Sequence, residues 1–121
     1  MDRHTELLKH LEDIKKSKKL VIVEGKKDKK ALEKFGIFNI ITLSKQPLYH
    51  VIEEVASNSR ECIILTDLDS KGKELYGKLN SGLQQFGIKV DNTFREFLFK
   101  ETKLRQIEGF QKIMPSALPS P

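Results

Sequence analysis

Glu24, Asp67 and Asp69 are the residues with which this sequence can do chemistry. Glu24 closes a short apolar run at residues 20–24, and Asp67 and Asp69 close another at 61–66. Clustered carboxylates repel one another, and without a cation at least one is pushed towards protonation. A divalent cation removes that conflict. Magnesium prefers hard oxygen donors in octahedral geometry and commonly takes one or two carboxylates together with substrate phosphates. Mg2+ is therefore the expected cofactor, with Mn2+ as a substitute. A site of that kind stabilises charge developing on a transferring phosphoryl group.

The three carboxylates meet only if the surrounding elements bring them together. Apolar, β-branched runs at 20–24, 38–43, 61–66 and 87–90 read as strands. Helical patterns lie between them, at 27–35, at 48–55 after Pro47, and at 70–83 with Leu75, Leu79 and Leu83 on one face. Gly72, Gly77 and Gly82 weaken that last helix. This alternation predicts βα units, an α/β fold with a mainly parallel sheet. In such sheets ligands gather at the carboxyl ends of strands. Residues two apart on a strand share a face, so Asp67 and Asp69 point to one spot if strand geometry continues through the turn. Glu24 lies across the same crevice if the first and third strands are neighbours.

Outside this core, residues 1–19 form an amphipathic helix, with Leu7, Leu8, Leu11 and Ile14 at helical spacing, expected to pack on the domain. The domain itself spans 20–114 with a C-terminal helical extension. Thr93-Phe94-Arg95-Glu96 fits a capping box opening a helix, while the β-prone residues through Phe99 leave a strand open. A helix is expected over 107–114, and the Pro/Ser-rich stretch 115–121 is expected to fray.

Composition narrows the function classes. The chain has 121 residues, 38% of them hydrophobic, enough for one domain and one core. No apolar run approaches the roughly 18 residues of a membrane span, and the amino terminus lacks an apolar signal segment, so a cytoplasmic location is the default expectation. The lone Cys62 lies among Ile63, Ile64 and Leu65 and reads as a buried strand thiol. His4, His10 and His50 do not cluster with other ligand types. The formal charge is +5, and residues 15–34 alone hold nine lysines against three acids. Lysine concentrated in this way favours phosphate polyanions and equally serves as a solvated face.

Two motifs carry a resemblance. Val23-Glu24-Gly25-Lys26-Lys27-Asp28 resembles the first motif of the Toprim family, a hydrophobic strand ending in Glu-Gly with Asp three residues after the Gly. Thr66-Asp67-Leu68-Asp69-Ser70-Lys71-Gly72 resembles its second, Asp-x-Asp followed by Gly. Order and separation match as well, and the resemblance covers about residues 20–90. The family includes the catalytic domains of ribosomal-RNA-maturing ribonucleases, primases and topoisomerases. The resemblance implies a Rossmann-like fold of about four mainly parallel strands flanked by helices. It implies too that Glu24 acts as general acid or base at a phosphodiester bond, and that Glu24, Asp67 and Asp69 hold the metal. It also implies that Gly25 lets the backbone turn tightly beside the site. Asp28 is expected to shape that turn, with Gly72 in the second turn. Lys26, Lys27 and Lys71 are the candidate phosphate contacts. Asp91, after the fourth strand, is expected to cap the following helix rather than join the acids.

The functional expectation is Mg2+-dependent phosphodiester hydrolysis or nucleotidyl transfer on nucleic acid, nuclease-like RNA processing or DNA repair above all. Its partner is RNA or DNA, with a protein partner or a homodimer adding surface that so small a domain lacks. Tyr49 and Tyr76 fall on expected helices and read as packing residues, so topoisomerase activity is not expected, nor is primase activity. The alternative is a non-catalytic nucleic-acid or ribonucleoprotein-binding module of the same fold. A receiver-like phosphate-signalling domain is a third class, which leaves the Glu-Gly motif unexplained.

Overall fold

The computed structural model of the chain describes residues 2–109. Among these, five α-helices alternate with four strands: α1 (Arg3–Ser17), β1 (Leu20–Val23), α2 (Lys26–Glu33), β2 (Ile40–Thr42), α3 (Leu48–Asn58), β3 (Glu61–Leu65), α4 (Ser70–Gln85), β4 (Lys89–Val90) and α5 (Thr93–Glu101), followed by a 3-10 turn at Ile107–Gly109. The strands form one all-parallel sheet in the order β2-β1-β3-β4. The α/β fold is the expected one.

The central strands consist almost wholly of branched apolar residues because a parallel sheet is covered on both faces. Val21, Val23, Ile63 and Leu65 face one way and pack with α1, α2 and α5 through Leu11, Leu32 and Leu98. Ile22, Cys62 and Ile64 face the other way, against α3 and α4 through Val51, Val55, Leu79 and Leu83. Cys62 is fully buried, and that burial pushes its thiol up to about 11. Leu7, Leu11 and Ile14 of α1 belong to the first core cluster.

Strand lengths differ from expectation. The run at 38–43 yields only Ile40–Thr42, with Phe38 69% exposed, and the run at 87–90 yields only Lys89–Val90. Both are sheet edges, where one side lacks a neighbouring strand and pairing ends sooner. The stretch 93–101 is helical, but Asn92 rather than Thr93 occupies the cap position, so the expected capping box does not form. Of the helix expected at 107–114, the first three residues make a 3-10 turn, and 110–121 lie outside the described residues. Glycines do not shorten α4, which runs sixteen residues. No described helix is long and apolar enough to cross a membrane.

Two glycines of α4 have opposite reasons to be there. A Cβ at Gly72 would fall 1.9 Å from the carbonyl oxygen of Asp67, whereas one at Gly77 would meet nothing within 4 Å. Gly77→Ala should therefore stabilise the fold by about 0.5–1 kcal/mol through helix propensity alone. Gly72→Ala should destabilise it by about 1–3 kcal/mol, the usual cost of overpacking. Urea unfolding of both variants checks the pair, and a shared sign would contradict this account of the turn.

Candidate active site

The sheet order makes β1 and β3 neighbours whose connections leave in opposite directions, one towards β2 and the other towards β4. The crevice beyond their carboxyl ends is the switch point at which α/β sheets bind ligands. Val23 pairs with Leu65, so Glu24 and Thr66 leave the sheet side by side. The Glu24 carboxylate crosses the seam: Oε2 accepts the backbone N–H of Asp67 at 2.7 Å. From the other side, Ser44 braces Glu24 by donating its hydroxyl to the Glu24 carbonyl at 3.1 Å.

Asp67 and Asp69 do not continue the strand. β3 ends at Leu65 because the chain must turn into α4, and Asp69 is the N-cap of that helix, accepting Gly72 N–H at 2.8 Å. Asp67 Oδ1 instead accepts the N–H of Ile107 at 2.8 Å. The two acids remain electrostatic neighbours, held so by the turn and not by strand alternation. Thr66 clamps the turn by donating its buried hydroxyl to the Gly72 carbonyl at 2.7 Å.

Asp28 lies beside the Gly25 backbone. Its carboxylate accepts Gly25 N–H at 3.1 Å and is 7% exposed. Gly25 itself does not make a tight turn of the kind only glycine allows. Its φ is −151°, open to L-residues, and an added Cβ would meet only Ser44 Oγ, at 3.5 Å. The chain moves directly from strand into helix here, with Gly25 as the cap of α2. Lys26 and Lys27 consequently stand exposed in the first turn of α2, and Lys71 in the first turn of α4. The amino ends of helices favour anions, so these lysines add charge where the helix dipoles already point. Asp91 lies elsewhere. It bonds Lys19 at 2.8 Å, before the start of β1, and accepts Thr93 N–H at 3.0 Å. Burial opposes ionisation of Asp91, but the Lys19 ammonium and Thr93 hold its carboxyl down at about 2.

Two site residues carried no sequence signal. Buried Arg95 on α5 donates to the carbonyls of Thr66 and Asp67, the latter at 3.1 Å, and stacks its guanidinium 4.6 Å from the Tyr76 ring centroid. Glu108, in the 3-10 turn, stands within electrostatic reach of both Asp28 and Asp67. Both arrive from the last quarter of the chain, and only the packing of α5 and the following segment places them.

The acids feel one another. Burial pushes the Asp28 carboxyl up to about 6, the Gly25 N–H opposes this, and Asp67, Glu24 and Glu108 reinforce it. Burial also raises Asp67, with Asp69 and Glu108 adding to the rise against the Ile107 N–H and Arg95. All the donors are hard carboxylate oxygens, the kind magnesium prefers, and a carboxylate bound to one N–H retains acceptor capacity. Among the described residues, no three of His, Cys, Asp and Glu form a ready-made metal cluster. The arrangement thus fits an ion that takes one or two carboxylates and completes its coordination with water and phosphate.

A carboxyl whose pKa is raised on folding favours the folded state at low pH, and that contribution is lost as pH rises through the folded value. Asp28→Asn keeps an acceptor for Gly25 N–H and removes the ionisation. In EDTA near neutral pH the variant should be more stable than the wild type by about 1–3 kcal/mol. The gap should close below about pH 4, where Asp28 is protonated in both states. Urea unfolding at the two pH values tests this; a gap of the same size at both would refute it.

The relatives fit this geometry. The Toprim domain family model matches residues 19–95, a span that includes Glu24, Asp28, Asp67, Asp69, Gly72 and Arg95. A UPF0292 protein of Pyrococcus abyssi is 43% identical over 94 residues, covering 77% of this chain and 70% of that one. A UPF0292 protein of Methanocaldococcus jannaschii is 35% identical over 109 residues, covering 85% of each. The solved structure of a protein from Aquifex aeolicus superposes with a TM-score of 0.77 at 36% identity, over 86% of this chain and 94% of that one. Glu-Gly at the end of β1, Asp-x-Asp beyond β3 and the parallel sheet that joins them therefore have one explanation: this chain belongs to the Toprim domain family.

Proposed function

We propose that this protein carries out Mg2+-dependent phosphodiester chemistry on nucleic acid, with hydrolysis of RNA or DNA as the reaction. Toprim membership supports the broad class, metal-dependent nucleic-acid processing. The observation that carries the finer reading is the seam contact. The Glu24 carboxylate bonds the backbone N–H of Asp67 across the β1–β3 crevice, which supports reading the acids of both motifs as one site where a phosphate would dock.

In this reading Glu24 is the general base. It takes a proton from the attacking water as the water oxygen adds to phosphorus. The bond to the leaving oxygen breaks in line with that attack, and the leaving oxygen takes a proton from solvent water. Mg2+, held by one or two of the Asp67, Asp69 and Glu24 carboxylates with water completing its shell, would supply charge neutralisation at the phosphoryl oxygens. Lys26, Lys27 and Lys71 hold the flanking phosphates, assisted by the amino ends of α2 and α4. Asp28 keeps the Gly25 backbone in place, and Arg95 fixes the Thr66 and Asp67 carbonyls, so the acids do not drift when charge changes between them.

The absence of a three-ligand cluster among the described residues favours a second reading, a binding module without turnover. The two are separable. Glu24→Gln and Asp67→Asn each keep an acceptor for the backbone N–H that the native carboxylate engages. Both should fold. Glu24→Gln should lower magnesium-dependent cleavage of a labelled oligonucleotide by about 10²- to 10⁴-fold, the usual contribution of a general base, and Asp67→Asn should lower it by weakening the hold on the metal. Equal rates in the wild type and both variants would exclude the catalytic reading. Salt-sensitive binding that persists in Glu24→Gln, with no cleavage by any form, would establish the module instead.

A further inference from the structure

Beside the acidic turn lies a cleft that neither the acids nor the lysine segment explains. It holds about 250 Å3 and is lined by Leu68, Tyr76 and Phe99, with Lys73 and Lys100 among its polar residues and Arg95 in its wall. Two connections tie it to the candidate site. Leu68 stands between Asp67 and Asp69 in sequence, and its N–H donates to the Arg105 carbonyl at 2.7 Å. Arg95 both lines the cleft and holds the Asp67 carbonyl.

Its chemistry is specific. Phe99 is 45% exposed, so its ring is open to a ligand. Two cations attend its ring, Lys73 Nζ at 4.8 Å and the Arg105 guanidinium carbon at 5.1 Å from the centroid. An aromatic platform set among basic side chains is how proteins hold single strands, with a base on the ring and phosphates on the cations. The volume points the same way. Pockets for drug-sized ligands run from roughly 300 to 1,000 Å3, so this cleft suits one flat ring system and not a whole nucleotide.

We infer that the Phe99 cleft is a stacking subsite for one unpaired nucleobase, with Lys73, Lys100 and Arg105 on the adjoining phosphates. The inference rests on the nucleic-acid reading above and adds to it the form of the substrate: a single-stranded segment next to the scissile bond. In the free protein the cations occupy the ring. The two exposed cation–π contacts together contribute about 5- to 30-fold to an equilibrium, and a stacked base contributes about 5- to 150-fold. Stacking thus offsets the loss of both contacts, and the released cations gain phosphate in exchange.

The chain has no tryptophan, so Phe99→Trp installs a single fluorescent reporter at an exposed position. Titration is done in EDTA with a short oligothymidylate and with an abasic strand of equal length and charge. The thymidylate should quench the reporter and the abasic strand should not. Phe99→Ala should weaken thymidylate binding about 5- to 50-fold and leave abasic binding and its salt dependence unchanged. Equal quenching by both strands, an equal loss of affinity for both, or a reporter that responds to protein concentration alone would overturn the subsite. Because no metal is present, cleavage and stacking fail or succeed separately. A quenched reporter in a protein that never cleaves defeats only the catalytic reading, and a cleaving enzyme with an unresponsive reporter defeats only this one.

Discussion

The parallel pairing of β1 with β3 is the constraint on which the rest of this molecule depends. With Val23 level with Leu65, the residues that follow each strand must leave the sheet next to one another. One is a glutamate, and the other strand leads into a turn with two aspartates. A one-residue slip in register would turn each inward side chain of these strands to the opposite face. It would also carry Glu24 away from the Asp67 N–H. The two core clusters prevent that slip, because Val21 and Val23 fill one side of the sheet and Ile22 the other, all fully buried.

Holding several carboxylates together demands a rigid frame, and the β3–α4 turn supplies one. Its backbone is tied at nearly every residue. Thr66 reaches Gly72, Asp69 caps α4, Leu68 bonds Arg105, and Asp67 receives Ile107. Arg95 ties the carbonyls of Thr66 and Asp67 from beneath. A buried arginine facing carbonyl oxygens is costly unless its donors are met; burial lowers the Arg95 pKa, and the Tyr76 ring, Asp67 and Glu24 counter part of that cost. The segment after α5 is thus a structural part of the site, not an appendage to the sheet.

Electrostatically the site is divided. Negative charge is concentrated at the strand ends, strongly enough that burial and mutual repulsion hold Asp28 near pH 6. Positive charge surrounds it, from lysines in the first turns of α2 and α4. In the reading proposed above, a polyanion with bound cations would satisfy both halves at once, its metal at the acids and its phosphates at the lysines.

The sequence by itself determined the layout and the identity of the central acids. Unbroken apolar runs bounded by Glu-Gly and Asp-x-Asp specify buried parallel strands and the residues at their ends, because strand burial and side-chain type are local properties of the chain. Asp28 as the partner of Gly25 and Cys62 as a buried thiol were readable for the same reason. Tertiary structure alone decided how the acids come together. Strand order made Glu24 and Asp67 partners, and a helix cap rather than strand alternation placed Asp69. Close approach to the Asp67 carbonyl, invisible in a motif, explains Gly72, while Gly25 turned out to have no such steric demand. Arg95, Phe99 and Glu108 come from segments more than twenty residues beyond the second motif. Their spacing carries no period that points to the site, since contacts between distant segments are set by packing and not by local sequence.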